Sequence, residues 1–224
     1  LPERVSPRSQ GSYVLALNML CGFIYGFDCL EDYEHLRADE AMKALFGAES
    51  PAARTYGDFL RDFDIEHLQK LNQFLNRMSW SLIHSLQKNL PEQFKPKSIC
   101  LDIDSTDHEQ SGNKIEGVNW NFKRKWCLDS QVIYNHFGFC HGFQLRPGNT
   151  KSGVEAEILI DQALTDGKTQ LVRKLEGKVF VRADSAYCNQ TIIKTLVRKG
   201  ALFSITANDA TTSCKDQMAN VGLS

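Results

Sequence analysis

No two of the seven cysteines are spaced as Cys-x-x-Cys, and their number is odd. Cys21, Cys29, Cys100, Cys127, Cys140, Cys188 and Cys214 lie mostly in apolar runs, where a free thiol packs as a small hydrophobe. This argues against a disulfide framework and a structural zinc, and it points to a reducing cytoplasm. Cys140-His141 is the one adjacent soft-ligand pair; it lacks partners at metal-site spacing, so packing is its expected role. Long apolar runs are missing as well. The longest apolar-rich stretch, Tyr13 to Phe27, contains Asn18 and falls short of the roughly 20 residues that a membrane-spanning helix needs. Arg4 and Arg8 precede it, but no small-residue cleavage site follows, so a buried helix is expected rather than a signal peptide. There are no internal repeats and no low-complexity tract. Net charge is −1 over 224 residues, which singles out no class of partner. The charge is segregated, however. Residues 1–110 carry 11 Lys/Arg against 17 Asp/Glu, and residues 111–224 carry 15 against 10. A basic second half favours a polyanionic partner there.

Residues 12–90 read as helices. Leu36, Met42, Leu45 and Phe46 share helical spacing, with Gly47 as a stop signal and Ser50-Pro51 as a break. Leu60, Phe63, Leu68, Leu71, Phe74, Leu75, Met78, Leu82 and Leu86 then hold a three-four spacing, with Asp64 placed to cap a helix inside it. This stripe is expected to be a core face, with a dimer seam as the second reading. Pro91 and Pro96 bracket a polar linker, and the domain boundary is expected there: helical region 1–96, sheet-containing core 97–224.

Beyond the linker the texture turns to strands. Residues 98–104 form an apolar run that alternates into carboxylates; residues 131–137 and 143–146 follow, stopped by Pro147-Gly148-Asn149. Residues 152–164 have helical spacing, with Ser152 and Glu155 in a capping-box pattern. A strand over 178–183, a helix over 191–199 closed by Gly200 and a strand over 202–206 complete a β-β-β-α-β-α-β order. The fold class is α+β or α/β: a helical N-terminal region followed by a mixed sheet with flanking helices.

Two of these strands deliver aspartates, Asp102 and Asp104 from one and Asp184 from the other. Ligands collect at the carboxyl ends of strands in such sheets. Converging carboxylates repel unless a cation intervenes, and magnesium prefers oxygen ligands. Two ions about 4 Å apart activate a water or a 3′-hydroxyl at a phosphodiester. Each Asp alone is better explained as a turn former or helix cap, Asp184 especially, because it precedes Ser185 and a helix; the pair in this setting brings the two readings level.

Leu101-Asp-Ile-Asp-Ser-Thr106, Leu145-Arg-Pro-Gly-Asn149 and Val181-Arg-Ala-Asp-Ser-Ala-Tyr187 resemble the DDE transposases of bacterial insertion sequences, in particular the group numbered thirteen-eighty. Leu36-Arg-Ala-Asp39 and Ala44-Leu-Phe-Gly47 resemble that family's helical N-terminal region, so the likeness runs over about residues 13–208. The resemblance implies an RNase H-like catalytic core and a helical region that binds DNA or serves structure. It implies metal-dependent cutting and joining of double-stranded DNA at transposon ends, with two Mg2+ or Mn2+ ions. Asp104 matches the first catalytic aspartate, in a D-x-T motif, and Asp184 the second; Asp102 is a bystander. A homodimer on DNA in the cytoplasm, associated with the nucleoid and with no membrane, follows by the same analogy. The family has a third carboxylate, a glutamate on a later helix. This sequence has no Glu after Glu176, and only Asp209 and Asp216 follow Asp184. The chain therefore reads as cut off before the third acid, with an incomplete metal site.

Asn119–Trp126 reads N-W-N-F-K-R-K-W. Cations match phosphates and aromatics stack on bases, so Trp120, Lys123, Arg124 and Lys125 are expected at DNA, with Arg146 and Arg182 as further phosphate contacts. Two rival readings stand. Asp102-Ile-Asp104-Ser-Thr also resembles the haloacid dehalogenase phosphatases, with Asp102 as nucleophile and Asp104 as general acid/base. A chain without the third acid also suits a non-catalytic remnant that binds transposon ends.

Overall fold

A computed structural model describes residues 1–3, 11–47, 49–112, 114–170 and 179–207. Glu176, Asp209, Cys214 and Asp216 lie outside the described residues. The chain divides into two compact units, Leu1–Leu71 and Asn72–Ser224. No helix among the described residues is long and apolar enough to cross a membrane.

The first unit is helical: α1 (Ser12–Tyr25), α2 (Tyr33–Ala38), α3 (Glu40–Phe46), α4 (Ala53–Arg61) and the start of α5 (Ile65–Asn89). Its core is Leu15, Met19, Tyr33, Leu36, Met42, Tyr56 and Phe59. Asp39 caps α3 by accepting from the N–H groups of Ala41 and Met42, and Gly47 ends it in the left-handed region at φ 67°. Asp64 accepts from the His67 N–H at 2.8 Å and so starts α5, as its position suggested.

The second unit is a mixed sheet with helices. Its strands are β1 (Ile99–Glu109), β2 (Asn119–Trp120), β3 (Trp126–Asn135), β4 (Cys140–Pro147), β5 (Val179–Ala183) and β6 (Leu202–Ile205). The order is β2-β3-β1-β5-β6, with β4 also paired to β3. β1, β3 and β4 run antiparallel; β5 lies parallel to β1 and β6 parallel to β5. The two parallel steps are crossovers through α6 (Ala156–Gln170) and α7 (Gln190–Lys199). This is the helix-flanked mixed sheet that the resemblance implied.

One face of the sheet is the core. Leu101, Ile103, Ile133, Val179, Val181 and Ala183 pack against Trp80 and Ile83 of α5, Leu159, Ile160, Ala163 and Leu164 of α6, and Ile192 and Leu196 of α7. The second half of α5 thus packs with the sheet, and the two compact units divide between Leu71 and Asn72 within this helix. The polar stretch at 91–96 is a short 3-10 turn over Glu92–Phe94.

The stripe on α5 departs from expectation. Leu68, Leu71, Phe74, Met78 and Leu82 are exposed, whereas Asn76, Ser79, Trp80 and Ile83 are buried. The buried face is half polar because its polar groups have partners. Asn76 donates to the Gln162 carbonyl, Ser79 to the Cys140 carbonyl and the Trp80 indole to the Ala163 carbonyl. Hydropathy spacing does not register a buried amide that is fully bonded.

His141 sits in the same place, 1% exposed, its ring 4.6 Å from that of Trp80. Its Nδ1 lies 2.8 Å from Asn76 Oδ1 and its Nε2 3.1 Å from Asn135 Nδ2. With both amides oriented this way Nδ1 carries the proton and Nε2 accepts, a neutral ring. Burial pushes its pKa down to about 4. Cys140-His141 is therefore packing, as its isolation suggested.

Candidate active site

Strand alternation decides which carboxylates meet. On β1, Leu101 and Ile103 point into the core, so Asp102 and Asp104 point to the other face. On β5, Val181 and Ala183 are buried, so Arg182, and Asp184 just after the strand, point the same way as the aspartates. The parallel register pairs Asp102 with Arg182. Asp104 follows two residues further along β1, and Asp184 two residues on from Arg182, each just past the paired register and on the same face as the residue it follows. Both are exposed.

The pair at the lower level is already spent. Arg182 donates to both oxygens of Asp102, at 2.6 and 3.0 Å. The guanidinium thus neutralises Asp102. Asp104 and Asp184 have no cationic partner among the described residues. Asp104 accepts from the Ser105 N–H at 2.8 Å, and Asp184 accepts from the Ala186 N–H at 2.9 Å. One backbone donor fixes each carboxylate and leaves its remaining lone pairs open. An all-oxygen donor set of this kind suits a hard divalent ion. Asp184 is a cap, as one reading held, and capping does not preclude ligation.

β1 runs five residues past Asp104, so Asp104 stands inside the strand and not at its end. The pairing with β5 ends two residues earlier, at Asp102 opposite Arg182. The strand goes on because Ser105 to Glu109 continue in register with Gln131 to Cys127 on β3.

The six residues expected at DNA fall into three groups. β2 and β3 form a hairpin whose tip is Asn121–Lys125. Asn121 is buried, and its side-chain oxygen accepts from the N–H groups of Lys123 and Lys125. Arg124 takes a positive φ of 58° at this tip. The turn lifts Trp120 and Phe122 into solvent, 60% and 89% exposed. Lys123 and Lys125 are ion-paired, to Asp107 and Glu109 on β1. Burial acts to raise the Asp107 carboxyl, and hydrogen bonds from Lys123 and Asn121 outweigh it and hold it low. Exposed pairs are worth about 0–1 kcal/mol, so a phosphate can compete for either lysine. Arg182 is held by Asp102. Arg146 is a correction. It is 4% exposed and bonded through Nε to Asp129 at 2.7 Å, with NH1 donating to the carbonyls of Ser152 and Val154 at 3.3 and 2.9 Å. A buried pair costs about 3–5 kcal/mol to break, so Arg146 does not turn out to a phosphate. Burial pushes the Asp129 carboxyl up, against the pull of Arg146.

The capping box is also absent. α6 starts at Ala156, Glu155 takes a positive φ of 58°, and the Ser152 hydroxyl lies 2.7 Å from that of Ser105. Tertiary bonding outcompetes the local cap. Sequence reasoning missed this polar cluster, in which Asp129, Gln131 and Tyr187 are buried and Ser105 and Ser152 half-buried; only the polar strand positions Ser105, Asp129 and Gln131 could have signalled it. Among the described residues the one set of three potential ligands within reach of a common ion is Asp28, Cys29 and Asp32. There the Asp32 carboxylate closes a turn on the N–H groups of Asp28 and Cys29.

An α+β mixed sheet with exposed acids on the face opposite its core is the class that the fold defines. The chain matches the family described as transposase DDE domain group 1 over residues 12–220, and it belongs to that family. Solved structures similar to it include the catalytic domain of Mos1 mariner transposase, at 12% identity and TM-score 0.36 over 61% of this chain and 60% of that one. The Drosophila P element transposase strand transfer complex aligns at 9% identity and TM-score 0.37, over 91% of this chain and 42% of that one. The chain thus spans less than two thirds of the length of either. No curated protein matches it. Family membership sets the phosphatase alternative aside.

Proposed function

We propose that this chain supplies the metal-binding and DNA-cutting core of an insertion-sequence transposase. Asp104 and Asp184 would hold Mg2+ or Mn2+, two ions in the assembled site. The observation that supports this reading is the parallel register of Asp102 with Arg182, from which Asp104 and Asp184 each follow two residues on along one face, with no cationic partner among the described residues. When bound, the ions ready a water or a 3′-hydroxyl for attack on a phosphodiester and stabilise the leaving oxygen. The chain's own residues do the rest. Arg182 holds Asp102 neutralised, so that two carboxylates and not three face the ions. The β2–β3 hairpin offers Trp120 and Phe122 to unpaired bases and Arg124, Lys123 and Lys125 to phosphates. The partner is double-stranded DNA at transposon ends, bound by a homodimer. The site proposed here comprises two acids, Asp104 and Asp184. Full strand transfer needs a third carboxylate.

Iron-mediated backbone cleavage tests the reading. Fe2+ bound at the site should cut near both residue 104 and residue 184, and Asp104→Asn or Asp184→Asn should abolish both sets of cuts. Cuts that appear at one position only, or that persist in either variant, would overturn it.

A further inference from the structure

The segment between β4 and α6, residues 148–155, lies against both proposed metal ligands through their backbone donors. The Ser105 N–H that fixes Asp104 belongs to a residue whose hydroxyl meets that of Ser152 at 2.7 Å. The Ala186 N–H that fixes Asp184 belongs to the turn that packs on Gly153. A Cβ at residue 153 would lie 2.6 Å from the Ala186 carbonyl oxygen and 3.0 Å from Asn189 Nδ2. Asn189 in turn donates to the Gly153 carbonyl at 3.3 Å and caps α7 through the Ile192 N–H. Ser152 and Gly153 are consecutive, so a single dipeptide touches the orienting residue of each acid.

Something must hold that dipeptide. The Ser152 carbonyl accepts from Gln131 at 2.7 Å and from Arg146 at 3.3 Å, and Arg146 also takes the Val154 carbonyl. Arg146 is anchored by Asp129 and buried. Its planar fork meets a carboxylate and two carbonyls at once, which an ammonium group does not reproduce.

We propose that Arg146, acting through Ser152 and Gly153, is a positioning residue that sets the spacing of Asp104 and Asp184. The inference rests on the metal-site reading above. Arg146 touches neither acid. It keeps one rigid strap in contact with the residue after Asp104 and with the turn after Asp184, so the two positions are held relative to each other just past the point where the hydrogen-bonded pairing stops. Exposed carboxylates that repel one another would otherwise be free to splay.

The test is Mn2+ titration of the full chain by electron paramagnetic resonance, with thermal unfolding measured in parallel. Arg146→Lys, Ser152→Ala and Gly153→Ala should each weaken Mn2+ binding about tenfold, the scale of outer-sphere effects at metal sites. Ser152→Thr, which keeps the hydroxyl, should bind as the parent does. Titrations run well below each variant's unfolding temperature separate this from lost stability. If Arg146→Lys does not fold, Ser152→Ala and Gly153→Ala decide. Wild-type Mn2+ affinity in those two, with affinity lost in Asp104→Asn and Asp184→Asn, would overturn the positioning role and leave the metal site standing. Unchanged affinity in Asp104→Asn and Asp184→Asn would remove the metal site and this inference with it.

Discussion

The two faces of the sheet are made by the same strands and do opposite work. On one, Leu101, Ile103, Val179 and Val181 are buried under α6 and α7. On the other, one residue along, Asp102, Asp104, Arg182 and Asp184 meet solvent or each other. A period of two residues therefore separates stability from chemistry within a single strand.

This separation can be attacked from either side. The largest effect belongs to the core face: Trp80→Ala should cost about 3–5 kcal/mol, measured by urea unfolding. Its iron-cleavage sites should stay where they are in the folded fraction; if they move, the two faces are not independent. Next comes acid. His141 is held neutral in the fold, its pKa depressed to about 4, while the unfolded chain takes up the proton near its ordinary value of 6.5. Protons therefore favour the unfolded state between those limits. The contribution is present above pH 6.5 and is lost as pH falls toward 4, up to about 3 kcal/mol. His141→Gln should flatten that part of a stability-versus-pH curve, and an unchanged slope would assign it elsewhere. Smaller again is the hairpin, where Phe122→Ala and Trp120→Ala should each weaken single-stranded DNA binding by about 1–3 kcal/mol in fluorescence anisotropy. Unaltered binding in both would mean that the exposed rings stack on nothing. The smallest expected change in stability is at the acids themselves. Asp104→Asn and Asp184→Asn should unfold within about 0.5 kcal/mol of the parent, Asn being as good a cap as Asp at position 184. A larger loss would show that the open face also carries structure.

Much of the fold was legible because its signals are local. The apolar strands at 99–103 and 179–183, the Asp64 cap, and the Gly47 and Gly200 stops each depend on a few neighbouring residues. That Asp104 and Asp184 share one face of adjacent strands follows from strand alternation, and motif resemblance singled them out. Other features were hidden because their cause is distant in sequence. Asn76 is buried because His141 and the Gln162 carbonyl receive it, 65 and 86 residues away. Ser152 fails to cap α6 because Ser105 engages its hydroxyl, and Arg146 looks like a phosphate contact until Asp129 is seen to hold it.

Residue order alone determined which side chains are apolar, at what period they recur and where helices stop, since those depend on backbone sterics and on the few bonds within a turn. Only the tertiary structure decided which polar groups are occupied and which remain open. That choice is made by partners tens of residues apart: Arg182 neutralises Asp102, and Asp104 and Asp184, two positions on, are left to other ligands.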